Sequence, residues 1–419
     1  MNKNNRLAFI DLFAGAGGLS EGFIQAGFLP IAHVEKMREA ADTLETRTAY
    51  HYLKENPDLI SLYYDYERGN VTRKELLNEI PDSELKSVIC EEMSDETLPS
   101  IFERIDSIIA EKKINKVDVI IGGPPCQAYS LVGRAQSSHM LIPMEEDPRN
   151  ELYKMYTAFL EKYKPEMFVF ENVSGIKTAR KGQAFEDLKR ELDRVGYDFD
   201  FEVQVATDFG VLQKRRRIIL VGWRKGTKHK YPEFERKISE AYVSELLDDL
   251  APVKRGEENN CYSKAYDDCS LYLRESGIRT KEDVVTHHIA RPNCDRDVNI
   301  YGRAIDAYKK GEKLKYDELP DELKTHKNQS SFRDRFKVVE GDEHACHTVL
   351  AHLAKDGHYF IHPDKKQCRS ITVREAARLQ TFPDSYYFEG NRGSKFTQIG
   401  NAVPPIMAKG IAEAIKKQL

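Results

Sequence analysis

No apolar run in these 419 residues approaches the length of a membrane span, which argues against an integral membrane protein. Cysteine is sparse: seven residues at irregular spacing, with no Cys-x-x-Cys pair. That pattern argues against a disulfide framework and a zinc site, and for a reducing cytosol. An overall positive charge is missing too, since the formal net charge is −4, so the chain as a whole carries no sign of a nucleic-acid binder. The opening Met1-Asn2-Lys3-Asn4-Asn5-Arg6 runs straight into a strand pattern and lacks the features of a signal peptide. A Gly-x-Gly-x-x-Gly fingerprint is absent from the first strand–helix turn, so a dinucleotide site is a poor match.

What remains is a soluble globular composition, 40% hydrophobic and 32% charged, in a chain long enough for two domains. Basicity is local. Residues 213–230 hold eight Lys/Arg and no Asp/Glu, and residues 365–378 hold five Lys/Arg against one Glu. Such patches can hold phosphates on an acidic protein, although a solvated face has the same composition.

The chain is organised around Gly122-Gly123-Pro124-Pro125-Cys126-Gln127-Ala128-Tyr129-Ser130. The apolar run Val117 to Ile121 reads as a buried parallel strand that the glycines and prolines break abruptly. Cys126 then lies just beyond a strand's carboxyl end, where open α/β sheets gather ligands and chemistry. Taken alone, the turn is equally a place for a small buried cysteine. Upstream, Leu7 to Ile10 predicts a strand, residues 11–18 a glycine-rich turn, and Leu19 to Ala26 a helix closed by Gly27. This is the first unit of a nucleotide-binding fold. A second strand, Ile31 to Val34, ends at Glu35, an acidic residue placed to bond both hydroxyls of a ribose.

Further along, residues 43–87 read as extra helical decoration on the sheet, and Ser87 to Cys90 as a third strand followed by Glu91, Glu92 and Asp95. One of those three acids could bond an adenine amino group, and a solvated loop has the same look. The polar loop 131–149 is long enough to be a lid. Strand Met167 to Phe170 delivers Glu171 to the same sheet edge as Cys126. In Gln213-Lys214-Arg215-Arg216-Arg217, strand spacing points Arg215 and Arg217 the same way. From 229 to 368 the alternation of helix and strand fades. Residues 348–359 read as a hairpin, and residues 370–380 as a helix with a Thr372/Glu375 capping box. A last amphipathic helix covers Ile406 to Ile415.

Seven blocks, in order, resemble the cytosine-C5 DNA methyltransferases: DLFAGAGG (11–18), Glu35, GGPPCQ (122–127), ENV (171–173), QKRRR (213–217), TVREAARLQTFPD (372–384) and QIGNAVPP (398–405). Each block alone is weak, and the ordered set is specific. The resemblance fades over 43–116 and 229–340, and the 43–87 stretch has no counterpart in ordinary members.

The resemblance implies an α/β fold with a Rossmann-like S-adenosylmethionine-dependent domain, residues 1–228 completed by 385–419. A smaller target-recognition domain would span 229–384. It implies a cofactor site of Asp11, Phe13, Ala14, Gly15, Gly17, Gly18, Glu35, Lys36, Pro125, Asn401 and Val403. Cys126 falls on the nucleophile, Glu171 on the acid at cytosine N3, and Arg215 and Arg217 on arginines that orient the site. Gln127, Ser130, Arg134 and Thr348 fall on DNA contacts. The implied partner is double-stranded DNA whose target cytosine leaves the stack. A companion restriction endonuclease, a monomeric state, a cytoplasmic nucleoid-associated location and no metal also follow. The rivals are a cytosine-C5 methyltransferase acting on tRNA and a catalytically dead DNA-binding relative. The long stretch between Trp223 and Ser370 favours sequence-specific DNA, and the intact Cys126, Glu171, Arg215 and Arg217 favour an active enzyme.

Overall fold

A computed structural model describes residues 6–124, 152–172, 183–326 and 329–419. Its centre is a seven-stranded sheet: β1 (Ala8–Leu12), β2 (Leu29–Glu35), β3 (Val88–Cys90), β4 (Val119–Gly122), β5 (Met167–Asn172), β6 (Tyr197–Val205) and β7 (Arg216–Arg224). The spatial order is β3-β2-β1-β4-β5-β7-β6. The first five strands are parallel, and β7 runs antiparallel to both β5 and β6. The central strands are apolar along their whole length because both faces are covered, and Phe9, Ile10, Leu12, Ile120, Ile121, Phe168 and Val169 are fully buried.

Helices α1 (Gly18–Gln25), α2 (Arg38–Lys54), α3 (Ile60–Glu67), α4 (Arg73–Asn78), α5 (Leu98–Glu111), α6 (Leu152–Tyr163) and α7 (Gln183–Arg194) accompany the first half of the chain. Strand order reverses at β1, which pairs β2 on one side and β4 on the other. Register sets Leu12 beside both Val34 and Gly122, so the turns after β1, β2 and β4 leave the sheet side by side. This is the switch-point crevice of an open α/β sheet.

The second half contributes α8 (Asp295–Lys309), α9 (Val373–Leu379), α10 (Arg392–Asn401) and α11 (Pro405–Lys416). The last helix returns to α1. A Cβ at Gly22 would lie 2.4 Å from the Lys409 backbone nitrogen, so only glycine permits this approach. The described residues of 225–372 hold little regular structure beyond α8, two short helices (Leu271–Glu275 and Gln329–Phe332), short 3-10 turns and isolated bridges. Buried ion pairs organise this region instead. Arg369 grips Glu375 through two bonds of 2.7 Å, and Arg378 grips Asp384 at 2.9 and 2.6 Å and also meets Asp249. Glu375 also caps α9, bonding the Thr372 amide while its own amide bonds Thr372 Oγ1. Removing one partner from a buried pair of this kind costs roughly 3–5 kcal/mol.

A core of Leu212, Val243, Leu246, Val349, Ile371, Leu379 and Phe382 continues into Ala16 on one side and Tyr386, Phe396 and Ile399 on the other. The two expected domains therefore share packed side chains. No helix among the described residues is long and apolar enough to cross a membrane.

One sequence expectation gives way. Residues 348–359 do not form a hairpin; Ala351–Ala354 is a 3-10 turn. The backbone there is satisfied from elsewhere: Gln213 Oε1 accepts from Val349 N, and Arg291 donates to the Leu353 and Ala354 carbonyls. With those groups taken, no cross-strand ladder forms. The 43–87 stretch is helical as expected: α2 packs on β2 and β3, and α3 and α4 pack in turn on α2. They pack with Tyr50 and Leu53 of α2 through Tyr63, Tyr66, Leu76 and Ile80, with Tyr387 against the cluster.

Candidate active site

The turn after β1 owes its shape to three residues with positive φ: Phe13 (55°), Gly15 (56°) and Gly17 (79°). Glycine takes this conformation readily, and Phe13 takes it at some strain. Val34 O accepts from Ala14 N at 3.1 Å, which ties the turn to β2. At the tip of β2, Glu35 accepts at Oε2 from Gly15 N and at Oε1 from Met37 N, both at 2.8 Å. Burial raises the Glu35 pKa, opposed by those amide bonds. Each of its oxygens keeps acceptor capacity beyond one amide. Among the described residues, and its chain neighbours aside, no heavy atom lies within 4 Å of the Cβ that Gly15 lacks. A carboxylate with spare acceptors beside open space fits a ribose with two hydroxyls, so these residues suit S-adenosylmethionine.

The other expected cofactor residues spread out. Val403 is buried, and its carbonyl sits 2.4 Å from where a Gly18 Cβ would be, so it closes on the N-terminus of α1. Asn401 is exposed at the end of α10. Ala14 is buried with Ala41, Leu44 and Val88. Asp11 is buried beneath the turn, 3.6 Å from His33 Nδ1, and burial raises its pKa against the pull of His33. Lys36 is half exposed and pairs with Glu92 at 3.1 Å. That pairing occupies Glu92, whereas Glu91 stands at the β3 tip with its amide on Glu35 O at 3.0 Å. The sequence left these acids undistinguished, and the β2–β3 register separates them.

Along the same edge, β4 ends in Gly122 and Gly123. A Cβ on Gly122 would lie 2.5 Å from Leu12 O, and one on Gly123 would lie 2.9 Å from Glu171 Oε2. Asn172 Nδ2 donates to Pro124 O at 3.5 Å, joining the start of this turn to β5. Cys126, Pro125, Gln127, Ser130, Arg134 and the expected lid 131–149 lie outside the described residues. Glu171 and Arg217 meet as an ion pair, Oε1 to Nε 2.8 Å, both largely buried. Their strands explain the meeting. Glu171 is paired with Ile219 across β5 and β7, and Arg217, two residues from Ile219, shares its face.

Arg215 departs from its expected orientation. It lies one residue before β7, where Arg215 N bonds Gln213 O at 2.8 Å in a tight turn, so strand alternation does not reach it. Its buried guanidinium donates to Val349 O at 2.9 Å, to Gly400 O at 3.3 and 3.2 Å and to Asn401 O at 3.4 Å. Thr348 Oγ1 donates to Lys214 O at 2.9 Å. Gln213, which sequence reasoning passed over, bonds Val349 N, Leu379 O and Gln380 Oε1. Gln380 in turn donates to Ile399 O and Ala402 O. Both glutamines lie within the ordered blocks, and that was the signal available. A cavity of about 1000 Å³ runs from the starts of the strands, by Leu7, Leu29, Ser87 and Asp118, up to Gly17 and Tyr386 at the back of the glycine turn.

Comparison with known proteins follows the same geometry. The family described as C-5 cytosine-specific DNA methylase matches residues 7–59 and 83–417. The type II methyltransferase M.Bpa9945I of Bacillus paralicheniformis is 42% identical over 97% of this chain and 98% of its own. The type II methyltransferase M.DdeI of Desulfomicrobium norvegicum is 29% identical over 97% and 88%. Among solved structures, an E. coli prophage protein described as a DNA modification methyltransferase superposes with a TM-score of 0.64 at 23% identity, covering 98% of this chain and 99% of its own. The Dnmt2 methyltransferase of S. pombe superposes with a TM-score of 0.55 at 14% identity, covering 99% and 98%. At those identities the two structures speak for the fold. The gap in the family match, residues 60–82, is narrower than the 43–87 expected, because α2 falls within the match.

Proposed function

The chain belongs to the C-5 cytosine-specific DNA methylases and is a DNA (cytosine-5-)-methyltransferase that uses S-adenosylmethionine; from that premise we propose how its residues divide the work. Cys126 is the nucleophile. Its thiolate adds to C6 of the target cytosine, forming a carbon–sulfur bond and leaving C5 enamine-like. Glu171 meets the charge developing on the ring with a hydrogen bond or proton at N3. Arg217 holds the Glu171 carboxyl in place. S-adenosylmethionine, when bound, supplies the electrophilic methyl group. After C5 takes the methyl, loss of the C5 proton returns an electron pair to the ring and expels the Cys126 thiolate.

The observation that carries this reading is the 2.8 Å Arg217–Glu171 pair beside Gly123, at the edge where β4 runs toward Cys126. Phe13, Gly15, Glu35, Glu91, Asn401 and Val403 line the cofactor site in this reading, with Glu35 on the ribose and Glu91 on the adenine. Asp11 and Ala14 support the turn from beneath, and Arg215 acts as a positioning residue. Residues 229–384 form the recognition domain, and DNA lies between it and the sheet edge. The relatives named as type II methyltransferases support a place in a restriction–modification pair. A restriction endonuclease of the same specificity, a monomer and a nucleoid-associated cytoplasmic location complete the proposal.

The test is a duplex carrying 5-fluorocytosine at the target. Fluorine at C5 cannot leave as a proton, so the adduct persists once the methyl has been transferred. Mass spectrometry should map it to Cys126, only with S-adenosylmethionine present. Cys126→Ser should abolish it with cofactor affinity kept, because an alcohol is far less ionised than a thiol. An adduct on another cysteine, or full activity in Cys126→Ser, would overturn the mechanism.

A further inference from the structure

Residues 60–82 stand outside the family match, and their contacts run toward the cofactor turn. Two tyrosines of α3 carry those contacts, with Arg73 of α4 pairing at 3.5 Å with Glu389 Oε1. The buried Tyr63 hydroxyl donates to Ser385 O at 2.8 Å. The Tyr66 hydroxyl donates to Glu389 Oε1 at 2.7 Å, an oxygen that also accepts from Thr46 Oγ1 at 2.6 Å. The Tyr66 and Tyr387 rings pack with centroids 4.8 Å apart. Segment 385–389 is thus gripped at both ends by an element the family pattern lacks.

From that segment the chain reaches the cofactor turn in one step. The Tyr386 hydroxyl donates to Ala16 O, a carbonyl between the two positive-φ glycines of the turn. The same hydroxyl lies 2.9 Å from where a Gly17 Cβ would be, so it seats directly on the turn. Arg47 stacks over the Tyr386 ring at 4.6 Å and donates to Ser385 O at 2.9 Å. A turn with three positive-φ residues lies outside any ladder and depends on such external bonds for its shape.

We propose that the 60–82 insertion is a brace for the cofactor site: Tyr63 and Tyr66 are positioning residues that hold Ser385–Glu389 and, through Tyr386, preset the turn in which Gly15 N meets Glu35. Presetting a binding loop raises affinity by removing the ordering step from binding. The inference rests on the reading that S-adenosylmethionine binds at this turn.

The test uses the full chain with Tyr63→Phe and Tyr66→Phe, singly and together, which remove the hydroxyls and keep the rings. In the double variant calorimetry should show S-adenosylmethionine binding weakened roughly three- to tenfold, the scale of one or two lost hydrogen bonds. The kcat at saturating cofactor and the KM for duplex DNA should stay within about twofold, a split that general loss of stability does not produce. Tyr386→Phe should give the same cofactor-specific loss, and combining it with the double variant should add little, because the three residues act in series. Hydrogen exchange of amides 15–18 should quicken in the folded double variant. Unchanged cofactor affinity in that variant, or an equal decline in kcat and in both substrate terms, would overturn the brace. Glu35→Ala, measured alongside, separates the two failures: unchanged affinity there removes the cofactor reading itself, whatever the tyrosines do.

Discussion

Arg217 Nε lies 2.8 Å from Glu171 Oε1, on the shared face of two antiparallel strands. The guanidinium reaches the carboxyl from the β7 side, while Gly123 stands against its other oxygen. Arg217→Ala should release the Glu171 side chain and lower kcat by roughly a hundredfold, the low end of what a placed acid contributes. S-adenosylmethionine affinity should hold, and single-turnover methyl transfer with separate calorimetry checks both halves.

Gly123→Ala isolates the same relationship from the other side. Its Cβ would sit 2.9 Å from Glu171 Oε2, closer than Cβ contacts allow. The atom inside 3.0 Å is the end of a flexible side chain, and the Glu171 carbonyl at 3.3 Å need give by only a few tenths of an ångström, so stability should change by less than about 1 kcal/mol. The carboxyl would swing from its place, and kcat should fall at least roughly tenfold. Paired thermal melts and rate measurements distinguish a displaced acid from a damaged fold.

Arg215→Lys should behave as a structural lesion. The guanidinium spans Val349 O, Gly400 O and Asn401 O, and a single ammonium cannot reach all three. Urea denaturation should show a loss of roughly 1–3 kcal/mol, the scale of buried carbonyls left without donors. Because the bonded segments carry Thr348 and Asn401, KM should rise for DNA and for cofactor together.

Asp283 predicts a pH dependence with a definite sign. Burial, with repulsion from Asp384 second, pushes its pKa up to about 6 from 3.8; bonds from Thr280 and the charge of Arg374 oppose the shift. Neighbouring Glu67 is raised as well, chiefly by burial, with Asp283 adding to the rise. A carboxyl raised in the folded state binds its proton more tightly there than in the unfolded chain. Stability therefore falls as pH rises from 3.8 to about 6 and stays lowered above that. Asp283→Asn should stabilise the protein by roughly 2–3 kcal/mol at pH 7.5 and hardly at all at pH 3.5. Denaturant midpoints of both proteins at the two pH values provide the check.

Exchange of residues 229–368 for the corresponding segment of a relative with another target should move the methylated site and leave the chemistry alone. Base-edge contacts specify, whereas phosphate contacts position. Bisulfite sequencing of DNA from cells expressing the chimera reads the outcome. A folded, active chimera that keeps the old site would remove specificity from this segment.

Much of the sheet is legible in the sequence. The apolar runs at β1, β2, β4 and β5 are buried on both faces, and such runs end where glycine, proline or a charged residue interrupts them. The Thr372/Glu375 capping box likewise stands where the spacing placed it. The region from 225 to 372 is less readable because it holds few regular elements and is tied by ion pairs such as Arg279–Asp249 and Arg335–Asp356, which leave no periodic burial of the kind that marks helices and strands.

The amino-acid sequence by itself determined the order of strands and turns, the glycines that let backbones approach, and the residue types gathered at one edge. Those follow from propensity and periodicity, which act over a few neighbouring residues. Tertiary structure alone decided that Arg217 meets Glu171 while Arg215 turns away to Val349 and Gly400, although two positions separate the arginines. It also decided that Glu91 stands by Glu35, and that Tyr63 answers to Ser385 across more than three hundred residues. Which buried donor finds which acceptor depends on the insertion of β7 between β5 and β6 and on how the second core closes over the first turn. A buried polar group must take whatever partner the packing brings, and local pattern carries no record of it.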